Sequence, residues 1–170
     1  MKRLYFIRHG ESELNAQHLL SGRIDTPLTE NGRQQVHAVI DGVRSIGVDY
    51  ILSSPLSRAY ETASIIAEGI RLPPDKIHTS ALLTERTYGH REGTAWDTTA
   101  PIADEPGSET LAAVRQRAEE ALYIIKNLPF DTVLIVSHGT IWHALQAILN
   151  NQPSFEDTGA PDNAKIVQLI

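Results

Sequence analysis

The feature that most constrains the fold is the run Thr-Val-Leu-Ile-Val-Ser at residues 132–137, which is apolar at four consecutive positions. A strand that is apolar on both faces has to be covered on both faces, which is typical of a parallel sheet between two layers of helices. Shorter runs at 3–7 and 48–53, and a weaker one at 164–170, predict further strands. We therefore expect a central sheet that is buried on both sides.

Helical patterns alternate with these strands. Apolar residues at helical spacing predict four helices, at residues 29–46, 57–69, 108–127 and 140–149. Gly47 marks the end of the first helix, and Ser108, which follows a Pro-Gly pair, is predicted to cap the third. Since strands alternate with helices, we predict a three-layer α/β/α domain over residues 1–170 with a mostly parallel central sheet. The least regular segment is the loop at 85–106.

Composition excludes several classes of protein and of site. The chain has 170 residues and no cysteine, which excludes disulfides, thiolate metal sites and a cysteine nucleophile, and we expect a reducing, cytoplasmic compartment. The net charge of −6 and the lack of a basic run argue against nucleic acid as a partner. No stretch of about 18 apolar residues is present, so we expect no spanning helix and no membrane partner.

Basic and imidazole side chains follow three of the predicted strands. Arg8 and His9 come directly after the first strand, Arg58 follows the second, and His138 comes directly after the third. Because the carboxyl ends of parallel strands lie at one edge of a sheet, we expect these four side chains to converge. The donors of arginine match phosphate oxygens two at a time, and a neutral imidazole is a good nucleophile toward phosphorus. The sequence thus predicts a positive pocket for a phosphorylated ligand in an acidic chain.

A metal site is a weaker interpretation of the same residues. His138 and His143 are five positions apart and do not share a helical face. Carboxylates lie close to His9 in the sequence, but the two arginines would repel a cation, so we expect no metal and no cofactor. The other histidines lie in no motif and are interpreted as ordinary surface or core residues: His18, His37, His78, His90 and His143.

Four segments lie in order along almost the whole chain. They are Arg-His-Gly-Glu-Ser at 8–12 with Asn15 after it, Gly-Arg-Ile-Asp-Thr-Pro-Leu-Thr at 22–29, Ser-Ser-Pro-Leu-Ser-Arg-Ala at 53–59, and Leu-Thr-Glu at 83–85 followed by Ser-His-Gly at 137–139. Together they resemble the histidine phosphatase superfamily, also called the phosphoglycerate mutase-like family. The resemblance implies the α/β fold of that family and phosphoryl transfer through a phosphohistidine.

The resemblance also implies a role for each matching residue. His9 would be the nucleophile, and Glu85 the general acid that protonates the leaving oxygen and then the base that activates water. We expect a backbone carbonyl to hold the other ring nitrogen of His9, so that the nucleophilic nitrogen is unprotonated. On the residues alone, Glu85 would be an ordinary loop carboxylate. The phosphoryl group or the substrate would be bound by Arg8, Arg58, His138, Asn15, Ser21, Gly22, Tyr88 and Gly139.

Phosphatases and mutases of this family share the phosphohistidine and differ in what accepts the phosphoryl group. The segment Glu-Arg-Thr-Tyr-Gly at 85–89 resembles the mutases, whereas His-Arg-Glu-Gly at 90–93 resembles the phosphatases. Only 52 residues separate Glu85 from His138, too few for the longer basic insertion of the mutases. We predict a metal-independent phosphomonoesterase that acts on a small phosphorylated metabolite and releases inorganic phosphate. A cofactor-dependent phosphoglycerate mutase, a phosphohistidine or phosphoprotein phosphatase and a non-catalytic phospho-ligand sensor are the alternatives.

The substrate itself stays open at this point. Specificity is expected to lie in the segments 17–25 and 85–106. Trp96 and Tyr88 are candidates for an apolar or stacking surface, with core packing as the other interpretation of Trp96, and Trp142 is interpreted as part of the core. Sugar phosphates, nucleotides, phosphoglycerates and the α-ribazole phosphate of cobalamin synthesis are all compatible with the sequence.

Overall fold

The apolar run at 132–137 forms a strand, β4 (Thr132–Ser137), in which all six residues are buried. The computed structural model describes residues 2–97, 99–100, 102–155 and 159–170. The other strands in this part of the chain are β1 (Arg3–Arg8), β2 (Tyr50–Ser53), β3 (Ile77–Thr79) and β5 (Ile166–Gln168). They form one sheet in the order β3-β2-β4-β1-β5, with β4 in the middle.

Parallel pairing brings the ends of three strands to one edge of the sheet. Both β1 and β2 pair with β4 in parallel, and β3 pairs in parallel with β2. Arg8 lies beside Ser137 and Ser53 beside Val136 in this register, so β1, β2 and β4 end next to one another. The remaining strand, β5, runs antiparallel along the outer side of β1. The prediction of a mostly parallel sheet is therefore confirmed.

Helices cover both faces of this sheet. They are α1 (Glu13–Ala16), α2 (Glu30–Ile46), α3 (Ser57–Ile70), α4 (Leu111–Asn127) and α5 (Gly139–Leu149). Neighbouring residues of a strand face opposite sides, so Phe6 and Ile135 pack with α4 and α5, whereas Ile7 and Leu134 pack with α2 and α3. The three-layer α/β/α arrangement is confirmed. Within the described residues, no helix is long and apolar enough to cross a membrane.

The start of α4 differs from the sequence prediction. The helix begins at Leu111 and is capped by Thr110, whose hydroxyl accepts a hydrogen bond from the Ala113 amide at 3.2 Å. The prediction that Ser108 is the cap was wrong. The Ser108 hydroxyl donates to the Glu105 carbonyl oxygen at 2.7 Å and closes a turn before the helix.

Other elements differ in their ends or were not predicted. The strand β3 has only three residues and lies at an edge of the sheet, so its sequence carries too little pattern to predict it. The strands β2 and β5 are shorter than the runs that predicted them. The helix α5 begins at Gly139, one residue earlier than predicted, with His138 at its N-cap. This last difference places the second histidine between a strand and a helix, at the edge where β1 and β2 also end.

Candidate active site

The ends of β1 and β4 hold two histidines side by side. The His9 amide donates to the Ser137 carbonyl oxygen at 3.1 Å, and the ring centroids of His9 and His138 are 5.1 Å apart. Both histidines are buried. A Cβ atom at Gly10 would lie 2.7 Å from the carbonyl oxygen of Gly32 on α2, so glycine is required where the chain leaves β1 past this helix. The predicted convergence of the two histidines is therefore present.

The hydrogen bonds of His9 fix which ring nitrogen is free. Its Nδ1 lies 2.7 Å from the Gly10 carbonyl oxygen, and a carbonyl only accepts, so Nδ1 carries the hydrogen. The Nε2 atom accepts a hydrogen bond from Arg58 Nε at 3.3 Å, which requires a lone pair there. Burial, followed by the charges of Arg58 and Arg8, lowers the pKa of His9 well below its ordinary value. His9 is thus a neutral imidazole with its lone pair on Nε2, as a nucleophile requires.

Arg58 is a buried cation that connects His9 to the segment before α2. It is 1% exposed, and its two terminal nitrogens donate to the carbonyl oxygens of Gly22 at 2.7 Å and Ile24 at 2.9 Å. Burial lowers the pKa of Arg58, and the carboxylates of Glu85 and Asp25 oppose this effect, so the guanidinium stays charged. One side chain therefore positions both the imidazole and the backbone at Gly22.

The second histidine has the opposite tautomer. The Nε2 atom of His138 lies 2.7 Å from the Ser54 hydroxyl oxygen, which also accepts a hydrogen bond from the Leu56 amide at 3.3 Å. No other acceptor contacts this hydroxyl among the described residues, so it donates to Nε2 and the His138 hydrogen lies on Nδ1. Burial, followed by the charges of Arg58 and the other groups of the site, lowers the pKa of His138 well below its ordinary value. His138 is therefore a neutral donor next to the neutral imidazole of His9.

Three buried donor atoms around His9 have no hydrogen-bond partner in the described part of the chain. They are Arg8 Nε, the Ser21 hydroxyl and His138 Nδ1. Arg8 and Ser21 line the same cavity as His9, and the His138 ring packs against that of His9. Buried polar groups are nearly always paired, so three unpaired donors at one place indicate that an anion with several acceptor oxygens binds there. The other buried atoms in this condition include the Thr26 hydroxyl and the Trp142 ring nitrogen, which do not line the cavity.

The amide of Asn15 is oriented by two donors. Its Oδ1 atom accepts from the Ser12 amide at 3.2 Å and from Asn163 Nδ2 at 3.4 Å, so its NH2 group is the end that can donate into the cavity. Asn163 Nδ2 also donates to the His9 carbonyl oxygen at 2.8 Å. Asn163 was not identified from the sequence, because it lies in no motif and reaches the site only through the fold.

The carboxylate of Glu85 lines the same cavity as His9 and is 9% exposed. Its two oxygens accept backbone hydrogen bonds, from the Arg86 amide at 2.7 Å and from the Thr140 amide at 3.4 Å. Tyr88 packs beside it, and its hydroxyl lies 2.6 Å from the Thr140 hydroxyl oxygen. Burial, with a contribution from the charge of Glu85, raises the pKa of the Tyr88 hydroxyl, so this phenol stays neutral. Of these two side chains, Glu85 is therefore the candidate for giving a proton to a bound substrate and taking one from it.

These side chains surround a cavity of about 300 Å³. All but one of the residues predicted for the site line it, and the exception, His138, has its ring centroid 5.1 Å from that of His9. The lining includes Arg8, His9, Asn15, Ser21, Gly22, Arg58, Glu85, Tyr88 and Gly139. Trp96 lines it too, whereas Trp142 packs in the core with its ring centroid 5.2 Å from that of Phe6. His143 was interpreted as an ordinary residue, but it is buried on α5 and lines this cavity. Its position one turn into the helix after His138 was the available signal.

Comparison with known proteins assigns nearly the whole chain to the family that its motifs resemble. The model of the histidine phosphatase superfamily (branch 1) matches residues 4–170. A Yersinia enterocolitica protein named "probable phosphoglycerate mutase GpmB" is 32% identical over 168 residues, covering 90% of this chain and 77% of that protein. A mycobacterial glucosyl-3-phosphoglycerate phosphatase solved with VO3 superposes with a TM-score of 0.86 and 27% identity, over 99% of this chain and 90% of that one. Bacillus stearothermophilus YhfR superposes with a TM-score of 0.84 and 29% identity, over 99% and 90% of the two chains.

Proposed function

Because this chain belongs to the histidine phosphatase superfamily, we propose that it is a phosphomonoesterase that acts on small molecules through a phosphohistidine at His9. The observation that carries the proposal is the set of three buried donors, on Arg8, Ser21 and His138, for which the described residues provide no partner. The oxygens of a phosphoryl group accept hydrogen bonds and would satisfy all three at once. His9 lines the same cavity and carries its lone pair on Nε2, so a phosphoryl group bound there would lie beside the nucleophile of this proposal.

The first step transfers the phosphoryl group to His9. A bond forms between Nε2 and phosphorus while the ester bond between phosphorus and the alcohol oxygen breaks. Glu85, in its protonated form, gives its proton to the departing oxygen, which would otherwise leave as a high-energy alkoxide. Arg8, Arg58 and the Nδ1–H of His138 hold the three non-bridging oxygens, which carry the charge during transfer. The Gly10 carbonyl keeps the hydrogen on His9 Nδ1 and so keeps the ring oriented.

The second step hydrolyses the phosphohistidine. A water molecule that takes the place of the alcohol attacks phosphorus, and the phosphorus–nitrogen bond breaks and returns the electron pair to His9 Nε2. Glu85, now a carboxylate, takes the proton of the attacking water and is ready for the next ester. The products are one alcohol and one inorganic phosphate, and the protein is unchanged.

The cations of the loop at 85–106 favour hydrolysis over the mutase reaction. A phosphoglycerate mutase binds a carboxylate and a second phosphate, and both require further free cations. Arg86, which the sequence shares with the mutases, is 2% exposed and donates to the carbonyl oxygens of Glu109 at 2.7 Å and Ala103 at 2.9 Å. Arg91 pairs with the carboxylate of Glu105. Both arginines hold the loop together, which supports water as the acceptor of the phosphoryl group.

The position of Glu85 supports catalysis on an ester over action on a phosphoprotein and over ligand sensing. A protein phosphohistidine is a phosphoramidate, whose leaving group needs less help from an acid than an alkoxide does. A carboxyl group held by two backbone amides in the same cavity as His9 supports an ester as substrate. A phospho-ligand sensor would need the donors but neither Glu85 nor a free Nε2, so the complete set supports catalysis over sensing.

The test is phosphate release from a panel of phosphomonoesters that includes p-nitrophenyl phosphate, measured in excess chelator. We expect release by the wild type and a loss of at least about 10⁴-fold in His9→Ala. His37→Ala, which removes an exposed histidine of α2, is the matched control and should keep full activity. Quenching during turnover should trap phosphate that is stable in base and labile in acid, as expected for phosphohistidine.

Two results would contradict the proposal. Release that persists in a folded His9→Ala protein would exclude His9 as the nucleophile. No release from any ester, together with interconversion of 3- and 2-phosphoglycerate when bisphosphoglycerate is added, would establish the mutase reaction instead.

A further inference from the structure

Apart from the residues around His9, the cavity is lined mainly by apolar side chains. These are Leu19, Leu20, Trp96, Ala100, Ile102 and Ala160. Four of the six also line an adjoining cavity of about 80 Å³, which none of Arg8, His9 and Arg58 touches. The apolar side chains therefore lie on the side of the site where the alcohol part of a phosphate ester has to sit.

The backbone that carries the aromatic side chain of this wall is held by hydrogen bonds to the segment at 18–20. The Trp96 amide donates to the His18 carbonyl oxygen at 2.9 Å, and the Leu20 amide donates to the Thr94 carbonyl oxygen at 2.8 Å. The ring centroid of Trp96 lies 5.7 Å from the guanidinium carbon of Arg8, and the residue remains 44% exposed. An aromatic surface thus lies next to an arginine that the proposed reaction uses to hold phosphate.

Charge on this side of the site disfavours a second anion. Asp97 lines both cavities, and hydrogen bonds from the Thr99 hydroxyl and amide lower its pKa, so it stays a carboxylate. Arg86 and Arg91 line the smaller cavity, but Arg86 lies 3.6 Å from the Asp104 carboxylate and Arg91 pairs with Glu105. Within the described residues, the carboxylates here therefore match or exceed the cations.

We propose that the preferred substrate is the phosphate monoester of an uncharged alcohol that carries an aromatic or other flat apolar group close to the ester oxygen. The apolar group packs on Trp96, while the phosphoryl group is held beside it by Arg8. The short distance between these two side chains limits the spacer to one or two carbon atoms. This inference rests on the proposed function and adds the class of alcohol to it.

The experiment compares three primary alkyl phosphates: 2-phenylethyl phosphate, glycerol 3-phosphate and 3-phosphoglycerate. Their leaving oxygens are chemically similar. Glycerol 3-phosphate carries a hydroxymethyl group at the position where 3-phosphoglycerate carries a carboxylate. We expect kcat/KM to be highest for 2-phenylethyl phosphate, about tenfold above glycerol 3-phosphate, as partial burial of a phenyl ring predicts. We expect 3-phosphoglycerate to be the poorest of the three.

Trp96→Ala tests the role of the aromatic wall. We expect it to lower kcat/KM for 2-phenylethyl phosphate about tenfold, through KM, and to change that for glycerol 3-phosphate by less than about twofold. Trp96→Phe should restore most of the difference between the two esters. Tyr123→Ala, which removes a 72% exposed aromatic residue of α4, is the matched control and should leave it unchanged.

The outcomes separate this inference from the reaction on which it rests. Turnover of all three esters with 3-phosphoglycerate preferred, or a preference for 2-phenylethyl phosphate that Trp96→Ala leaves intact, would overturn the inference and leave the phosphatase standing. Absence of phosphate release from all three esters and from p-nitrophenyl phosphate would overturn both.

Discussion

The part of the cavity around His9 and the part around Trp96 differ in what fixes their side chains. His9, His138 and Arg58 are held by strand ends and by buried hydrogen bonds, and each is at most 3% exposed. Trp96 and Asp97 belong to a loop and face solvent. The first part depends on the geometry of the sheet, so it tolerates little change, whereas the second can change without disturbing the core. The proposed reaction therefore depends on the fold, and the proposed choice of alcohol depends on the loop.

Glu85 lies between the two parts, and after the replacement of His9 its replacement should have the largest effect. We expect Glu85→Gln to slow the first turnover of glycerol 3-phosphate by about 10² to 10⁴-fold, because the alkoxide loses its proton donor. The first turnover of p-nitrophenyl phosphate should change little, since its leaving group needs no proton. Rapid-mixing measurements on both esters check this. Equal losses would remove Glu85 as the acid, and Glu120→Gln on the exposed side of α4 is the control.

The part of the cavity around His9 should also dominate the pH dependence of the free energy of unfolding. His9 and His138 are buried as neutral rings with lowered pKa values, whereas the unfolded chain takes up protons at the ordinary value of 6.5. The free energy of unfolding should therefore fall as pH decreases below 6.5, by up to about 1.4 kcal/mol per pH unit for each histidine. Urea unfolding between pH 7 and pH 5 measures this slope.

The double variant His9→Gln/His138→Gln should show a shallower slope than the wild type. His90→Gln, which changes an exposed histidine of the loop, should keep the wild-type slope. A double variant with the wild-type slope would assign the pH dependence to other groups.

Ser54 tests how the residues around His9 are positioned, because it contacts His138 and is not among the residues that line the cavity. We expect Ser54→Ala to lower kcat about tenfold, because His138 loses the donor that keeps its hydrogen on Nδ1. Nitrogen-15 NMR of the His138 ring should show Nδ1 protonated in the wild type and a shift toward the other tautomer in the variant. Ser53→Ala removes the neighbouring buried hydroxyl, which donates to the Ser54 carbonyl oxygen at 2.9 Å, and should keep the wild-type tautomer. An unchanged tautomer in Ser54→Ala would refute this role.

The smallest effect on activity should come from a change in the part of the cavity around Trp96. We expect Asp97→Asn to raise kcat/KM for 3-phosphoglycerate about twofold at low salt and by less at high salt, because an exposed carboxylate is strongly screened. Glycerol 3-phosphate, which lacks the carboxylate, should be unaffected. Asp75→Asn at the opposite edge of the sheet is the control. An equal gain for both esters would contradict a charge effect.

The same division explains how far the sequence could predict the structure. Arg8 ends β1, and His9 and His138 directly follow strands, so a local pattern was enough to place them at one edge of the sheet. Ser54 and Asn163 act on residues 84 and 154 positions away, and no local pattern contains such pairings. Their identification required the fold.

The loop at 85–106 was harder to predict because the sequence of one motif is compatible with more than one role for its side chains. Arg86 lies in a segment that resembles the mutases, yet its side chain is directed inward by the carbonyl oxygens of Ala103 and Glu109. Ser108 and Thr110 are both suitable caps, and the choice follows from the same contacts, because Arg86 also donates to the Ser108 hydroxyl at 3.1 Å. Tertiary contacts therefore decide between local alternatives that are equally suitable in the sequence, such as Ser108 and Thr110 as caps.

The contacts of Asn163 have a consequence for how the molecule folds. The Asn163 amide group reaches the His9 carbonyl oxygen, and the Ala164 amide donates to the Arg8 carbonyl oxygen at 2.9 Å. Closing a loop of this length costs conformational entropy, and contacts so distant in sequence slow folding. A chain that has formed β1 and β4 but not β5 holds the nucleophile without the segment that orients its surroundings. Recovery of activity during refolding should therefore coincide with the last phase of folding.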